Sequence, residues 1–179
     1  MKTPRLSIIV LGLTIPSCYE FNFPLDPTPK VPQDARLAGV WRCLSAHPSV
    51  DEGAATLRIE PRPGLLAHWT FETPSSDGTT DQGEFDVYRS SQLGGSLLNA
   101  MESGGKEPRK WSFVRYSLLT PDVLRIELMD DEPFDKVKDN AEALRQAITR
   151  RVNDPAIYKD FCVCVRATPA AEPSSSPFS

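Results

Sequence analysis

Between Arg36 and Ala167 the apolar residues recur in short runs with a period of two. Ala55, Leu57 and Ile59 alternate with Thr56, Arg58 and Glu60, while Leu65, Ala67, Trp69 and Phe71 alternate with Leu66, His68, Thr70 and Glu72. Successive side chains of a strand point to opposite faces, so this alternation predicts strands with one face buried. Phe85 and Val87, set among acids, and Leu124, Ile126 and Leu128 continue the pattern. Segments around 39–46, 96–102, 110–119 and 161–167, separated by turn clusters such as Thr120-Pro121-Asp122, bring the expected number of strands to about eight. Adjacent antiparallel pairing is the simplest connection for strands so closely spaced, which predicts a mainly β domain with an up-and-down, barrel-like sheet.

One stretch has a different period. Phe134, Val137, Ala141, Leu144, Ile148 and Val152 recur every three or four residues, one stripe of an amphipathic helix before the last strand. Asp131, Glu132 and Asp135 stand at its start and Arg145, Arg150 and Arg151 near its end, each sign favouring the helix dipole. Asp154-Pro155 then predicts a cap and first residue of a short second helix.

The two ends follow neither pattern. Lys2 and Arg5 precede the apolar run Leu6 to Ile15, which ends in Pro16-Ser17 before Cys18. That run is about half of the roughly 20 residues a stable membrane-crossing helix needs, so residues 1–17 are expected to be an export signal removed from the mature chain. Leu13 to Cys18 resembles the lipobox of bacterial lipoproteins, with apolar Ile15 and small Ser17 at the third and first positions before the cysteine. The resemblance implies a diacylglycerol on the Cys18 thiol, cleavage before it and acylation of the new amine. Each buried CH2 contributes about 0.8 kcal/mol, so three chains would hold firmly where one holds marginally. Tyr19 rather than Asp after the cysteine implies, by the same resemblance, the outer membrane of the cell envelope. The alternative is an ordinary secretory signal that leaves Cys18 for a disulfide. Pro24, Pro27, Pro29 and Pro32 make residues 18–35 an anchor and Pro-rich tether, expected to extend from the bilayer in polyproline geometry. Residues 168–179, rich in Pro and Ser, are expected to be disordered, which leaves 36–167 as the folded domain.

Composition narrows the partners. The 179 residues carry 20 Lys plus Arg against 24 Asp plus Glu, and loss of Lys2 and Arg5 with the signal takes the formal charge from −4 to −6. An acidic chain is a poor nucleic-acid binder and has little electrostatic attraction for anionic lipid. At 40% hydrophobic and 25% charged residues, the chain is built like a globular domain, not a multi-span membrane protein.

Leu37-Ala38-Gly39-Val40-Trp41 resembles the Gly-x-Trp opening of lipocalins and lipocalin-like domains. That resemblance implies a Trp41 that closes one end of an up-and-down barrel, with an arginine, Arg166 or Arg115, stacked across it. It also implies a non-enzymatic domain with room for one small apolar ligand. Trp41, Trp69, Phe71, Phe85, Trp111 and Phe113 are the candidate binding residues, plain core filling being the alternative role for these aromatics.

Cys43, Cys162 and Cys164 remain after lipidation of Cys18. If the last strand closes onto the first, Cys43 is in reach of the other two, which share a strand face, so a disulfide from Cys43 to Cys162 or Cys164 is expected. A thiolate metal site from the same three is the sharper alternative, but no His completes it, and no metal or other cofactor is expected. His47 and His68 lack the partners of a catalytic or metal site, and His68 falls on the polar face of its strand. Walker A, His-Glu-x-x-His, Gly-x-Ser-x-Gly and dinucleotide glycine patterns are absent, and Gly94-Gly95 and Gly104-Gly105 read as turns. Asp130, Asp131 and Glu132 could take a cation, though a helix start explains them better. With no catalytic residue identified, the sequence points to a lipid-anchored envelope domain that binds a small apolar ligand, or alternatively docks an envelope protein. A hydrolase using unrecognised carboxylates is the remaining class.

Overall fold

The computed structural model describes residues 19–46, 54–75, 77–91, 95–104 and 110–168. Eight strands, β1 (Gly39–Ser45), β2 (Ala55–Arg62), β3 (Leu66–Pro74), β4 (Thr80–Arg89), β5 (Leu97–Glu102), β6 (Trp111–Thr120), β7 (Val123–Met129) and β8 (Tyr158–Arg166), close into an up-and-down barrel in sequence order. Every neighbouring pair is antiparallel, including β1 with β8. Among the described residues one α-helix, α1 (Ala141–Arg151), lies between β7 and β8. Closure leaves no unpaired edge, which removes the main aggregation hazard of a sheet.

The period-two alternation sets the inside. Trp41, Leu57, Trp69, Val87, Ala100, Val114, Ile126 and Cys164 belong to one core within the barrel. One end is shut: Trp41 is fully buried, its indole N–H donates to the Leu37 carbonyl at 2.8 Å, and the guanidinium of Arg166 lies 4.1 Å from the ring centroid. Of the two arginines expected over Trp41, Arg166 takes the position; Arg115 instead covers Tyr158 at 3.6 Å. Leu65, counted with the β3 alternation, sits in the preceding turn at φ +65° beside Gly64 at φ +78°, where the chain reverses. The strand starts one residue later for that reason.

A second core lies outside the barrel. The outer faces of β5, β6 and β7 present Leu97, Phe113 and Met129, which pack with Phe134, Leu144, Ile148 and Ile157 from the β7–β8 connection. The helix is shorter than its apolar stripe predicts. Asn140 is extended and its side chain accepts from the Ala143 N–H at 3.0 Å, so α1 starts there, while Glu132–Phe134 forms a separate short 3-10 helix. Asp131 and Glu132 therefore sit at that short helix and not at the α1 N-terminus. Asp154 caps a 3-10 turn at Pro155–Ile157, the expected second element.

The tether expectation is overturned. Phe21 and Leu25 are buried in the outer core, and Phe21 stacks on Phe113 with ring centroids 4.3 Å apart. Backbone pairs join Phe21 to Trp111 and Val31 to Arg89, so residues 19–34 form a strap along the barrel wall. Two apolar side chains and a set of polar latches outweigh the extended preference of four prolines. Leu25 N–H donates to Asn99 Oδ1 at 2.7 Å, Arg145 Nε donates to the Leu25 carbonyl at 2.8 Å, and the buried Asp26 carboxylate accepts from Ser90 Oγ at 2.6 Å and from Ser91.

Candidate functional site

Among the described residues, the barrel is open at the end opposite Trp41. The strand termini there are the C-terminal halves of β3, β5 and β7 and the N-terminal halves of β4, β6 and β8, and they enclose a cavity of about 40 Å³. Trp69, Phe71, Phe85 and Phe161 form its walls, with Val87, Ala100, Val114, Ile126 and Leu128 below and Thr73 and Asp81 towards the rim. Phe71 is the hinge of the aromatic group, edge-on to Phe85 at 6.3 Å and to Phe161 at 5.9 Å and tilted against Trp69 at 6.5 Å. Gly83 faces Phe71 across the β3–β4 pair, and a Cβ there would meet the Phe85 ring at 3.2 Å. The missing side chain is part of what keeps the mouth open.

A water needs roughly 10–15 Å³ of such space, so the cavity has room for about three water-sized groups, far below the 300–1,000 Å³ of a drug-sized pocket. Below the rim residues Thr73 and Asp81 its lining is apolar with one exception. The indole N–H of Trp69 is buried without a hydrogen-bond partner. An orphaned donor of this kind costs about 1–3 kcal/mol.

The six aromatic candidates divide three ways. Trp69, Phe71 and Phe85 line the cavity. Trp41 is inside the barrel but sealed into its closed end. Trp111 and Phe113 are corrected: both lie on the outer face, Phe113 under Phe21 and Trp111 edge-on to Tyr88 at 5.8 Å. On β6 it is Val114 and Tyr116 that join the barrel core, and the outer face is buried as well because α1 and the strap cover it.

The cysteines meet where β1 and β8 close the barrel. Cys43 lies opposite Cys164 and is bonded to it, while Cys162 is a free, buried thiol 3.6 Å from the Cys164 sulfur. Among the described residues these three are the only grouping able to hold a metal, and the disulfide consumes two of the three ligands. Burial pushes the Cys162 thiol up to about 12, away from thiolate chemistry.

His68 is on the outer face as expected but only 7% exposed, with Nδ1 3.4 Å from Asp86 and Nε2 3.7 Å from Glu84. Two acids of the run are paired, Asp130 with Lys159 at 3.6 Å and Asp131 with Lys138 at 3.6 Å. Cys18 and His47 lie outside the described residues. No helix among the described residues is long and apolar enough to cross a membrane.

No protein-family model and no curated protein matches the chain. Among solved structures, the crystal structure of lobster apocrustacyanin A1 aligns with 87% of this chain and 94% of its own, at 14% identity and a TM-score of 0.38. The assignment of the barrel rests on its own strand order and register.

Proposed function

We propose that the protein is an envelope lipoprotein, anchored through acyl chains on Cys18, whose barrel is a non-enzymatic binding domain for a slender apolar group. The observation that supports this most is the shape and lining of the cavity: aromatic walls, one open end, and a buried Trp69 N–H without an acceptor. The volume favours the end of a single hydrocarbon chain over a compact ring system. A ligand of that kind suits a protein held at a bilayer, where chains of this chemistry are abundant.

The test is quenching of tryptophan by a brominated fatty acid added to the purified full chain. Saturable quenching that disappears in Trp69→Phe and in Gly83→Leu, which plugs the mouth, is expected. Absence of saturable quenching, or equal quenching in the plugged variant, would overturn chain binding.

A second reading, docking of an envelope protein, is favoured by the outer face of the β1–β8 seam. Leu44, Val163 and Val165 are 65%, 41% and 53% exposed, and Leu44 faces Val163 directly. Crosslinking in cells distinguishes the readings: a stoichiometric partner lost in Leu44→Glu supports docking, and none is required for chain binding.

A further inference from the structure

The strap that binds residues 19–34 to the barrel also fixes where the described chain begins. Phe21 exchanges backbone hydrogen bonds of 2.8 and 2.9 Å with Trp111, the first residue of β6, and that terminus belongs to the open end. Tyr19, two residues earlier, packs against the core inside the barrel, whereas Phe21 packs in the outer core, so the chain crosses the rim between them. From there the strap runs away from the mouth. It is held at Leu25 by Asn99, at Asp26 by Ser90 and Ser91, at Val31 by the last residue of β4, and at Asp34 by the Tyr116 hydroxyl at 3.1 Å. A segment fixed at so many points does not swing about the barrel.

Cys18 directly precedes Tyr19, and consecutive Cα atoms are about 3.8 Å apart. We infer that the barrel sits mouth-down on the bilayer, with the rim around Tyr19, Trp111 and the β3–β4 turn as its lipid-facing surface. The inference rests on the proposed acylation of Cys18. With Tyr19 at the rim and an acylated Cys18 bonded directly to it, the open end would meet the headgroup layer, and the end closed by Trp41 and Arg166 would project away. Strands of 9 and 10 residues, tilted as barrel strands are, set the closed end about 25 Å farther from the lipid. A hydrocarbon chain then reaches the cavity directly from the bilayer, without crossing water.

The test uses the full, lipidated chain in phosphatidylcholine vesicles containing a lipid spin-labelled near the headgroup. A fluorophore is placed on Thr80→Cys, at the mouth, or on Arg62→Cys, at the closed end; both positions are exposed. Native cysteines do not compete, because Cys43 and Cys164 are bonded and Cys162 is buried. Several-fold stronger quenching at position 80 than at position 62 is expected. Equal quenching, or stronger quenching at 62, in protein that floats with the vesicles overturns the orientation alone. Protein that neither floats nor incorporates a palmitate analogue overturns the anchoring itself, and the orientation with it.

Discussion

Arg166 on the last strand and Trp41 on the first are cross-strand partners, and the guanidinium lies 4.1 Å from the centre of the indole. The same side chain donates to the carbonyls of Ala38 at 2.9 Å and Arg36 at 2.6 Å, so one residue seals the floor and ties the segment before β1 to the last strand. Arg166→Ala is expected to cost about 1–3 kcal/mol, the sum of a partly desolvated cation–ring contact and lost charge-assisted hydrogen bonds. Arg166→Lys is expected to recover only part, because an ammonium lacks the planar fork that reaches ring and carbonyls together. Denaturant midpoints of the three proteins check both statements.

The Cys43–Cys164 disulfide joins residues 121 apart and is expected to stabilise the fold by about 2–5 kcal/mol, as long cross-links do. A thiol reductant, or the pair Cys43→Ser with Cys164→Ser, lowers the denaturation midpoint accordingly, whereas Cys162→Ala shifts it by a smaller amount. Equal midpoints with and without reductant, once thiol titration shows the bond to be cleaved, contradict this.

Cys162 is expected to resist alkylation at pH 8.5 in the folded protein and to react on unfolding. The buried thiol, pushed up to about 12, ionises much later than an exposed one with a value of 9.0. Its raised value also gives the sign of a pH effect: unfolding is favoured as pH rises from about 9 towards 12, where only the unfolded thiol is ionised. Mass spectrometry after a timed iodoacetamide pulse measures the reactivity.

Asp34 gives the opposite limb. Its carboxylate accepts from the Arg36 side chain, the Arg36 backbone N–H and Tyr116, and is held down at about 2 from 3.8, with the Arg36 side-chain bond the largest cause. A depressed acid stabilises above its unfolded value and loses that contribution as pH falls through the folded one. Melting temperatures between pH 4 and 2 are therefore expected to fall more steeply in the native protein than in Asp34→Asn.

Arg115 and Glu127 form a two-pronged pair at 2.7 Å in both bonds, with Glu127 buried. Removing Arg115 leaves that carboxylate with Arg125 at 3.4 Å as its remaining ion-pair partner. Arg115→Ala is expected to cost up to about 3–5 kcal/mol, and Arg115→Met with Glu127→Leu considerably less, since no buried charge is then stranded. A double-mutant cycle in urea measures the difference.

The strands were legible because one barrel face is buried and the other largely wet, which writes a period of two into Leu57, Ile59, Trp69 and Phe71. Where a second layer covers the outside, the code fails. Ser112, Phe113 and Val114 are all buried, so alternation on β6 does not tell lumen from exterior, and Phe113 reads equally well on either side. The strap was obscured by its prolines, although Tyr19, Phe21, Phe23 and Leu25 put an apolar residue at every second position. Cys162 and Cys164 share a face, and only the register, which sets Cys164 rather than Cys162 opposite Cys43, chooses between them. The cavity had a sequence signal in Gly83 beside the aromatic Phe85, but its bottom also depends on side chains from β5, β6 and β7 brought together by closure.

The cross-link between the first and last strands also decides how the protein carries load. Tension applied between Tyr19 and Thr168 enters at the strap, passes from Cys43 to Cys164 through sulfur, and leaves two residues before the end of β8. The barrel wall between those cysteines is bypassed, so a pull peels the strap from its latches while the lumen keeps its shape.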